Sequence, residues 1–355
     1  MKIYLVSLLS LLSMKLGGAQ DTCFEGDMTA AGSTTVEPLA SAWGESYTAQ
    51  CPTSGITVEG GGSSAGAARV CGDSSKGTSV DIGNMSRDWK TTEATAETEG
   101  GWMYKCLIGD TTRVVAQFPV AWDGVSVVVK AASAAETCIT GLGGLTMDQL
   151  RWMFTNYTDS ELEATGWDAS SLTNSDGDES THMWSELVAD CPALEVMIAG
   201  EDAESGTYEF FMQTVLTDYA NGEGFRSPYY NSTTEDDVAT YIAENDATIG
   251  YLNYATYMAH ESALGLAAIE NSEGSYVSPS ATTITDGTYN PLARKVYMNL
   301  LKDCTSMKKT LSYLEYGYSS GGDTDLTTAG LVPLTTEEKS TLEGWIAEHL
   351  SECQY

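Results

Sequence analysis

Three short segments of this sequence place small hydroxyl side chains beside glycine, each just ahead of a stretch with a helical pattern. They are residues 32–35 (GSTT), 60–66 (GGGSSAG) and 204–207 (ESGT). A hydroxyl can donate to an anion oxygen, glycine lets the backbone approach closely, and a helix start leaves its first N–H groups without intrahelical acceptors. Each helix dipole adds roughly 0.3–1 kcal/mol of attraction for an anion. Any one segment alone would be an ordinary N-cap, but the set predicts a cradle for a small oxyanion.

The elements that would position this cradle alternate between strands and helices. Strand-like runs lie at 56–58, 80–83, 125–129 and 249–252, and helical stretches lie at 38–47, 146–154, 208–219 and 237–243. This alternation favours an α/β fold with mostly parallel sheets, in which ligands bind where strands give way to helix starts. A chain of 355 residues exceeds one ordinary core, so we expect two domains.

The chain is strongly acidic, with 50 Asp and Glu against 17 Lys and Arg and a formal net charge of −33. Such a surface repels nucleic acid and anionic membranes, so neither is an expected partner. It also repels a free anion. An anion site in this protein must therefore work through local hydrogen bonds and dipoles.

The first residues resemble a secretory signal peptide. Lys2 precedes an apolar run from 3 to 16, and small residues lead to a cleavage site near Ala19 or Gln20. We therefore assign 1–20 to the signal and expect a secreted protein, extracellular or periplasmic. No later segment has the length and hydrophobicity of a transmembrane helix, so no membrane span is expected after cleavage.

The eight cysteines all follow the predicted signal, and none occurs as Cys-x-x-Cys. Export favours disulfides over metal ligation, although many pairings are open to eight cysteines. We favour neighbours in sequence order: Cys23–Cys51, Cys71–Cys106, Cys138–Cys191 and Cys304–Cys353. The three histidines lack metal-ligand spacing, so no metal or cofactor is expected.

A set of collinear motifs carries a family resemblance. In order they include GSTTVEPLASAW, ITVEGGGSSAG, VDIGNMSR, FPVAWDGVSVVV, ESGTYEFF, IGYLNYATY and NPLARKVY. The chain resembles the extracytoplasmic phosphate-binding protein of the bacterial ABC phosphate transporter over essentially the whole mature sequence. The resemblance implies a type 2 periplasmic-binding-protein fold, in which two α/β lobes joined by two hinge crossings close on a ligand in the cleft between them.

The same resemblance implies lobe boundaries. The first lobe would comprise 21–117 and 277–355, and the second would comprise 118–276. One hinge crossing is then expected near 118–120 and the other near 269–277.

Carried over position by position, the resemblance also implies the ligand-binding residues. Thr34, Thr35 and Ser63 would present hydroxyl and N–H groups from the first lobe. Ser205, Gly206 and Thr207 would do so from the second. The mechanism would be binding without a catalytic residue.

Two positions depart from the best-known members of that family. Glu201 stands where they carry an arginine, and Ser86 stands where they carry an aspartate that accepts the phosphate proton. We hypothesise that Arg87 or Arg226 supplies the cation, since a guanidinium fits two oxyanion oxygens at once, and that Ser86 is a further donor. Candidate proton acceptors are Asp202, Asp236 and Asp237.

The resulting functional hypothesis is a monomeric solute-binding protein that captures inorganic phosphate for uptake. An ABC phosphate permease would be the partner in a bacterium, and an unknown acceptor in a eukaryote. The alternatives are the same fold with another oxyanion or an organophosphate as ligand, a secreted phosphatase-like enzyme, and a cell-surface structural or adhesive protein that has lost binding. Three sequons, at Asn84, Asn156 and Asn231, would make the protein a glycoprotein in a eukaryotic secretory pathway.

Overall fold

Strands and helices alternate along the chain, and the computed structural model describes residues 23–97, 102–155, 181–203, 205–215 and 225–352. The strands in these ranges are β1 (Met28–Gly32), β2 (Ile56–Glu59), β3 (Ile82–Met85), β4 (Ala94–Ala96), β5 (Met103–Cys106), β6 (Val114–Lys130), β7 (Met197–Glu201), β8 (Tyr229–Ser232), β9 (Thr248–Asn253), β10 (Leu264–Leu266), β11 (Ile269–Glu270), β12 (Tyr276–Val277) and β13 (Ala293–Leu301). The helices are α1 (Glu37–Gln50), α2 (Ser63–Val70), α3 (Ala134–Leu142), α4 (Met147–Phe154), α5 (Trp184–Leu187), α6 (Gly206–Val215), α7 (Glu235–Glu244), α8 (Tyr254–His260), α9 (Ala281–Thr285), α10 (Cys304–Gly317), α11 (Ser320–Thr328) and α12 (Thr336–Glu352).

The predicted elements are present in these ranges. The strand-like runs fall on β2, β3, β6 and β9, and the helical stretches fall on α1, α4, α6 and α7. The last part of the predicted helix 208–219 lies outside the described residues from 216 onward. Local signals explain several starts: Pro38 opens α1, and Thr146 caps α4 with Gln149 in a capping box.

The first lobe is built on a sheet in which β1 lies between β2 and β3, all parallel. β13 pairs antiparallel with β3 and continues the sheet to the first part of β6. Helices α1 and α10 pack on this sheet and bury Trp43, Leu311 and Tyr313 completely. The Trp43 indole N–H donates to the Gly322 carbonyl at 2.9 Å, so burial leaves no polar atom of this ring unpaired.

The second lobe is built on the sheet β6-β9-β7-β8. β7 runs parallel to β8 and β9, and β6 runs antiparallel to β9. One face carries a large aromatic core that includes Trp152, Phe211 and Tyr251, and the other face packs Val238 and Ile242 of α7. Because both faces of the sheet are covered, the lobe has a core of its own.

Strands β6 and β13 each belong to both lobes. In β6, Val120 lies in the core of the first lobe and Val125 in the core of the second. In β13, Ala293 packs against the core of the second lobe and Val296 lies in that of the first. The two hinge crossings therefore run side by side.

This arrangement corrects the expected crossings. Phe118 lies wholly within the core of the first lobe, so the first crossing comes after 118–120. The segment 269–277 does not cross, because β11 and β12 pair with each other as an antiparallel hairpin. Ile284 and Tyr289 still pack in the core of the second lobe, and the Tyr289 hydroxyl donates to the Val125 carbonyl at 2.7 Å.

The disulfides join neighbouring cysteines as predicted. The bridges within the described residues are Cys23–Cys51, Cys71–Cys106 and Cys138–Cys191. Cys304 is also disulfide-bonded, and its predicted partner Cys353 lies outside the described residues.

The sequons differ in accessibility. Asn84 is fully buried in β3, so the folded protein cannot carry a glycan there. Asn231 is exposed on β8 at the edge of the sheet, and Asn156 lies outside the described residues. Glycosylation therefore stays a prediction for the last two sites only.

Export also stays a prediction. Residues 1–20, assigned to the signal peptide, lie outside the described residues. Within the ranges described, no helix combines the length and the apolar character needed to cross a bilayer.

Candidate ligand-binding cleft

The turn between β1 and α1 forms the first helix start of the cleft. Gly32 has φ of 138°, and a side chain there would meet the carbonyl oxygen of Asn84 at 2.2 Å, so the position requires glycine. The Ser33 N–H donates to the same carbonyl at 2.9 Å. The N–H groups of Thr34 and Thr35 have no acceptor among the described residues. Both can therefore donate to an anion.

The glycine-rich loop before α2 forms the second start. Gly62 has φ of 81°, and Ser63 begins the helix. The Ser63 hydroxyl accepts from the Ser86 N–H at 3.0 Å and lies 3.0 Å from the Ser86 hydroxyl. Both serines are only 1% exposed. The Ser63 and Ser64 N–H groups have no acceptor in the described ranges.

The third start belongs to α6 in the second lobe. The Ser205 hydroxyl accepts from the N–H groups of Thr207 at 3.1 Å and Tyr208 at 3.2 Å, and it donates to the Glu201 carboxylate. This hydroxyl thus serves as the N-cap of the helix. The N–H of Gly206, the first residue of α6, is left without an acceptor among the residues described.

The starts of α1 and α6 meet across the cleft. A Cβ atom on Gly206 would lie 1.9 Å from Thr35 Oγ1 and 2.8 Å from the Thr35 nitrogen. This contact closes the two lobes on each other. The helix starts predicted from the sequence therefore face one another with unpaired N–H groups on both sides.

Three cavities lie around this contact. The first, of about 520 Å³, lies between the glycine-rich loop and α6 and is lined by Thr34, Gly61, Gly62, Ala203, Ser205, Tyr208, Glu209 and Met212. The other two differ in the charge of their lining residues. One, of about 300 Å³, is here called the acidic cavity; it is lined by Thr34, Thr35, Pro38, Asp123, Glu201, Asp202, Ser205, Gly206, Thr207, Thr233, Glu235, Asn253, Ala329, Gly330 and Leu331. The other, of about 340 Å³, is here called the basic cavity; it is lined by Ser86, Arg87, Asp88, Phe210, Gln213, Thr214, Arg294, Lys295 and Tyr297. The predicted site residues that line the acidic cavity are Thr34, Thr35, Ser205, Gly206 and Thr207. Ser86 and Arg87 line the basic cavity, and neither lining includes Ser63 or Arg226.

A cation lies at the contact between the lobes. Arg294 Nη2 donates to Thr35 Oγ1 at 3.3 Å and to the Gly206 carbonyl at 3.2 Å, so one guanidinium joins both lobes. Its Nε donates to Asp123 Oδ2 at 3.2 Å, and its Cζ lies 4.0 Å from the Phe210 ring centroid. Burial lowers the pKa of Arg294, and the negative charge of Asp123 opposes that shift. The pair sits where the two hinge crossings run side by side.

The two arginines predicted to supply the cation are placed differently. Arg87 reaches the basic cavity, but Glu93 binds its guanidinium through both oxygens, at 2.8 and 2.9 Å. Arg226 is 2% exposed inside the second lobe, where it donates to the carbonyls of Met153 and Val196. Burial lowers the pKa of Arg226 to about 10. The hypothesis that Arg226 reaches the ligand is therefore corrected, because its guanidinium donates to buried backbone carbonyls inside the second lobe.

Glu201 takes part in a carboxyl pair. Glu201 lines the acidic cavity together with Glu235, the first residue of α7, and the negative charge of Glu201 acts on Glu235. Both oxygens of Glu235 accept from the Asn253 N–H, at 3.1 and 3.0 Å. Burial raises the pKa of Glu235 well above its ordinary value, and the charge of Glu201 raises it further. Burial also raises the pKa of Glu201.

Asp202 is the candidate proton acceptor that lines the acidic cavity. Asp236 instead accepts from His260 at 2.8 Å on the surface, and Asp237 accepts from the Ser232 hydroxyl at 3.0 Å. Neither appears among the residues that line the acidic or the basic cavity.

Sequence reasoning missed Arg294, Asp123 and Glu235. Arg294 stood in the motif NPLARKVY, but a single arginine on a strand is usually a surface residue. Asp123 gave a better signal, because a carboxylate inside an otherwise apolar strand requires a partner once it is buried. Its partner lies 171 residues away in sequence.

The carboxyl pair predicts a pH dependence of stability. A raised pKa means that the folded protein binds more protons than the unfolded chain, so stability is full below the ordinary carboxyl pKa of about 4.5 and is lost as pH rises through the folded pKa. We expect Glu235→Gln to remove part of this loss. Urea unfolding from pH 5 to pH 8 measures the free energy of unfolding of the unmodified protein and of Glu235→Gln. If the two free energies change with pH in parallel, the proposed effect of the carboxyl pair is contradicted.

Comparison with known proteins places the chain in a family. The family model for the PBP superfamily domain matches residues 17–319. This chain belongs to the PBP superfamily. Its relatives include the protein SphX of Synechococcus elongatus, 24% identical over an alignment that covers 86% of this chain and 77% of the relative. Another is the phosphate-binding protein PstS of Staphylococcus saprophyticus, 24% identical with coverage of 94% and 89%.

Solved structures show the same fold as this PBP superfamily protein. A possible phosphate-binding protein from Planctomyces limnophilus superposes with a TM-score of 0.67 at 20% identity, covering 92% of this chain and 99% of the other. An ABC-type phosphate transport receptor from Vibrio cholerae superposes with a TM-score of 0.57 at 17% identity, covering 87% and 100%. The expected two-lobed α/β fold is confirmed.

Proposed function

We propose that this protein is an extracytoplasmic solute-binding protein that captures phosphate between its lobes and delivers it for uptake. The observation that carries the proposal is the meeting of α1 and α6 at Thr35 and Gly206. Each lobe contributes unpaired N–H groups at this point, so a single anion can accept hydrogen bonds from both lobes. The names of the relatives, phosphate-binding protein and phosphate transport receptor, support the same ligand.

Local donors make up for the unfavourable charge of the whole chain. Thr34, Thr35 and Gly206 line the acidic cavity and Ser63 begins α2. Their N–H groups have no acceptor among the described residues, and hydrogen bonds to a charged acceptor are each worth about 1.5–3 kcal/mol. Arg294 adds a positive charge between the lobes. These short-range interactions can exceed the repulsion from a screened surface charge, which fades over roughly 8 Å at physiological salt.

We infer that the cleft binds its ligand without transforming it. The best-placed hydroxyl, that of Ser205, donates to Glu201 and caps α6, so it is not activated by a neighbouring base of the histidine type. Neither the acidic nor the basic cavity includes a histidine among its described lining residues. An assay for phosphate released from a generic aryl phosphate tests the alternative that the protein is a phosphatase. Steady release of phosphate would overturn the proposal that the cleft only binds its ligand.

We also propose that the mature protein works as a monomer outside the cytoplasm. An ABC permease is the partner in a bacterial host, because the relatives include an ABC-type phosphate transport receptor. A ligand that binds the closed form more tightly shifts the protein toward closure, and we propose that this shift couples binding to delivery.

The proposed function is tested by calorimetric titration of the ligand-stripped mature protein with phosphate and, separately, sulfate. We expect phosphate to bind and Thr207→Val to weaken it by about ten- to a hundredfold, since the hydroxyl of Thr207 lines the cavity. Thr341→Val is the matched control, because Thr341 lies on the exposed side of α12. Absence of phosphate binding in the unmodified protein would refute the proposal.

A further inference from the structure

We propose that the preferred ligand is a phosphate monoester or phosphonate whose short substituent ends in an ammonium group, and that the acidic cavity holds this ammonium. The inference rests on the proposed function, because the helix starts must first hold the phosphate group. It goes further by assigning a second part of the ligand to residues that an inorganic anion does not use.

The first argument is room. The acidic cavity of about 300 Å³ lies directly against Thr34, Thr35 and the start of α6. This volume equals roughly ten water molecules at about 30 Å³ each, and it reaches the lower end of the range for organic ligand pockets. Inorganic phosphate, a single phosphorus with its oxygens, leaves most of such a space unfilled. A substituent of a few atoms on the phosphate would extend into it.

The second argument is charge. The described residues that line the acidic cavity include Asp123, Glu201, Asp202 and Glu235, and no lysine, arginine or histidine. The basic cavity, on the other side of the contact, is lined by Arg87, Arg294 and Lys295, and these are ion-paired with Glu93, Asp123 and Glu338 respectively. A cation in the acidic cavity therefore meets carboxylates and no competing cation on the described wall. A zwitterion with a phosphate at the helix starts and a cation beyond them matches this wall.

The third argument is an unpartnered oxygen. Asp123 is 1% exposed and lines the acidic cavity. Its Oδ2 accepts from Arg294, whereas its Oδ1 has no hydrogen-bond partner among the described residues. A buried carboxylate oxygen without a donor is costly, so its persistence at a cavity wall indicates a donor supplied by a ligand. An ammonium carries three such donors.

The chemistry of the wall favours an organic cation. Among the residues described, no group of three or more His, Cys, Asp and Glu side chains is arranged to hold a metal ion. Glu201 and Glu235 instead line the same cavity, and the charge of Glu201 raises the pKa of Glu235. An ammonium that approaches this pair would stabilise its ionised form.

The test compares three ligands by calorimetric titration of the full mature chain at pH 7: inorganic phosphate, ethyl phosphate and 2-aminoethyl phosphate. The two esters have the same length and differ in the ammonium. We expect the amino ester to bind at least about tenfold more tightly than ethyl phosphate. In Glu201→Gln this advantage should fall below about threefold, because the substitution removes one charge and keeps the size of the side chain.

The control variant is Asp236→Asn. Asp236 neighbours Glu235 in sequence but is exposed and paired with His260, so the advantage of the amino ester should stay as in the unmodified protein. Retained phosphate binding by Glu201→Gln shows that this variant is folded. Should it fail to bind phosphate, Glu235→Gln provides the same measurement.

Each outcome has one meaning. Equal affinity for the two esters, with phosphate bound, overturns this inference and leaves the proposed function standing. Loss of the advantage in Asp236→Asn as well as in Glu201→Gln also overturns it, because surface charge would then be the cause. Failure of all three ligands to bind refutes the proposed function itself.

Discussion

Replacing Gly206 with alanine is expected to abolish closure of the lobes and to weaken phosphate binding by at least about a hundredfold, or about 2.7 kcal/mol. The new methyl group would lie 1.9 Å from Thr35 Oγ1. Rotating that side chain does not relieve the clash, because the Thr35 nitrogen and Cβ remain at 2.8 and 3.0 Å. The lobes must separate, so N–H groups from both can no longer reach one anion.

The folded lobes themselves should tolerate this change. Gly206 begins a helix, where alanine is favourable, and the clash arises only between lobes. Thermal unfolding without ligand should therefore shift by no more than about 2 °C, while the phosphate-induced rise in Tm disappears. Gly141→Ala in α3 is the matched control, because its Cβ would meet nothing within 4 Å. Normal phosphate binding by Gly206→Ala would contradict the closed cleft.

The second large effect concerns the ion pair between the lobes. Arg294→Met is expected to lower the free energy of unfolding by about 3–5 kcal/mol, because it leaves the buried Asp123 carboxylate without its cation. The same variant should lose phosphate binding, since the guanidinium that joins Thr35 to Gly206 is gone. Urea unfolding and calorimetric titration measure the two effects separately.

A double variant separates stability from binding. Asp123→Leu with Arg294→Met replaces the whole pair by apolar side chains, and such replacements are often neutral or stabilising. We expect the double variant to recover most of the unfolding free energy and still to bind phosphate poorly. Recovery of binding along with stability would show that Arg294 acts on the ligand only through the fold.

Much of the fold could be predicted because its signals are local. The alternation of strands and helices and the capping residues depend on neighbouring residues. The described disulfides join cysteines that are adjacent in sequence order, 28, 35 and 53 residues apart. Gly32 and Gly62 stood in segments predicted to let the backbone approach an anion closely, and both adopt positive φ. These same signals located the helix starts that form the cleft.

The hinge and the cation could not be predicted in the same way. The positions of the crossings follow from the core in which each valine is buried: Val125 lies in that of the second lobe, and Val120 and Val296 lie in that of the first. The sequence does not distinguish these valines, because each is simply an apolar residue on a strand. Arg226 and Arg294 are equally plausible as isolated arginines. Only the packing shows that one donates to core carbonyls and the other bridges the lobes.

The acidic wall illustrates a third limit. Glu201 was recognised as a departure, but its pairing with Glu235 joins β7 to the start of α7 through a contact 34 residues apart. Seen alone, each glutamate suits a solvated surface. Their shared burial beside Asp123 is what makes the cavity unusual for a site that binds anions.

The most direct test is a crystal structure of the ligand-stripped mature protein returned to phosphate. We predict a tetrahedral anion between the starts of α1, α2 and α6, within hydrogen-bond distance of the N–H groups of Thr35 and Gly206 and therefore in contact with both lobes. An anion that touches only one lobe, or a cleft without an anion while phosphate binds elsewhere on the protein, would contradict the account.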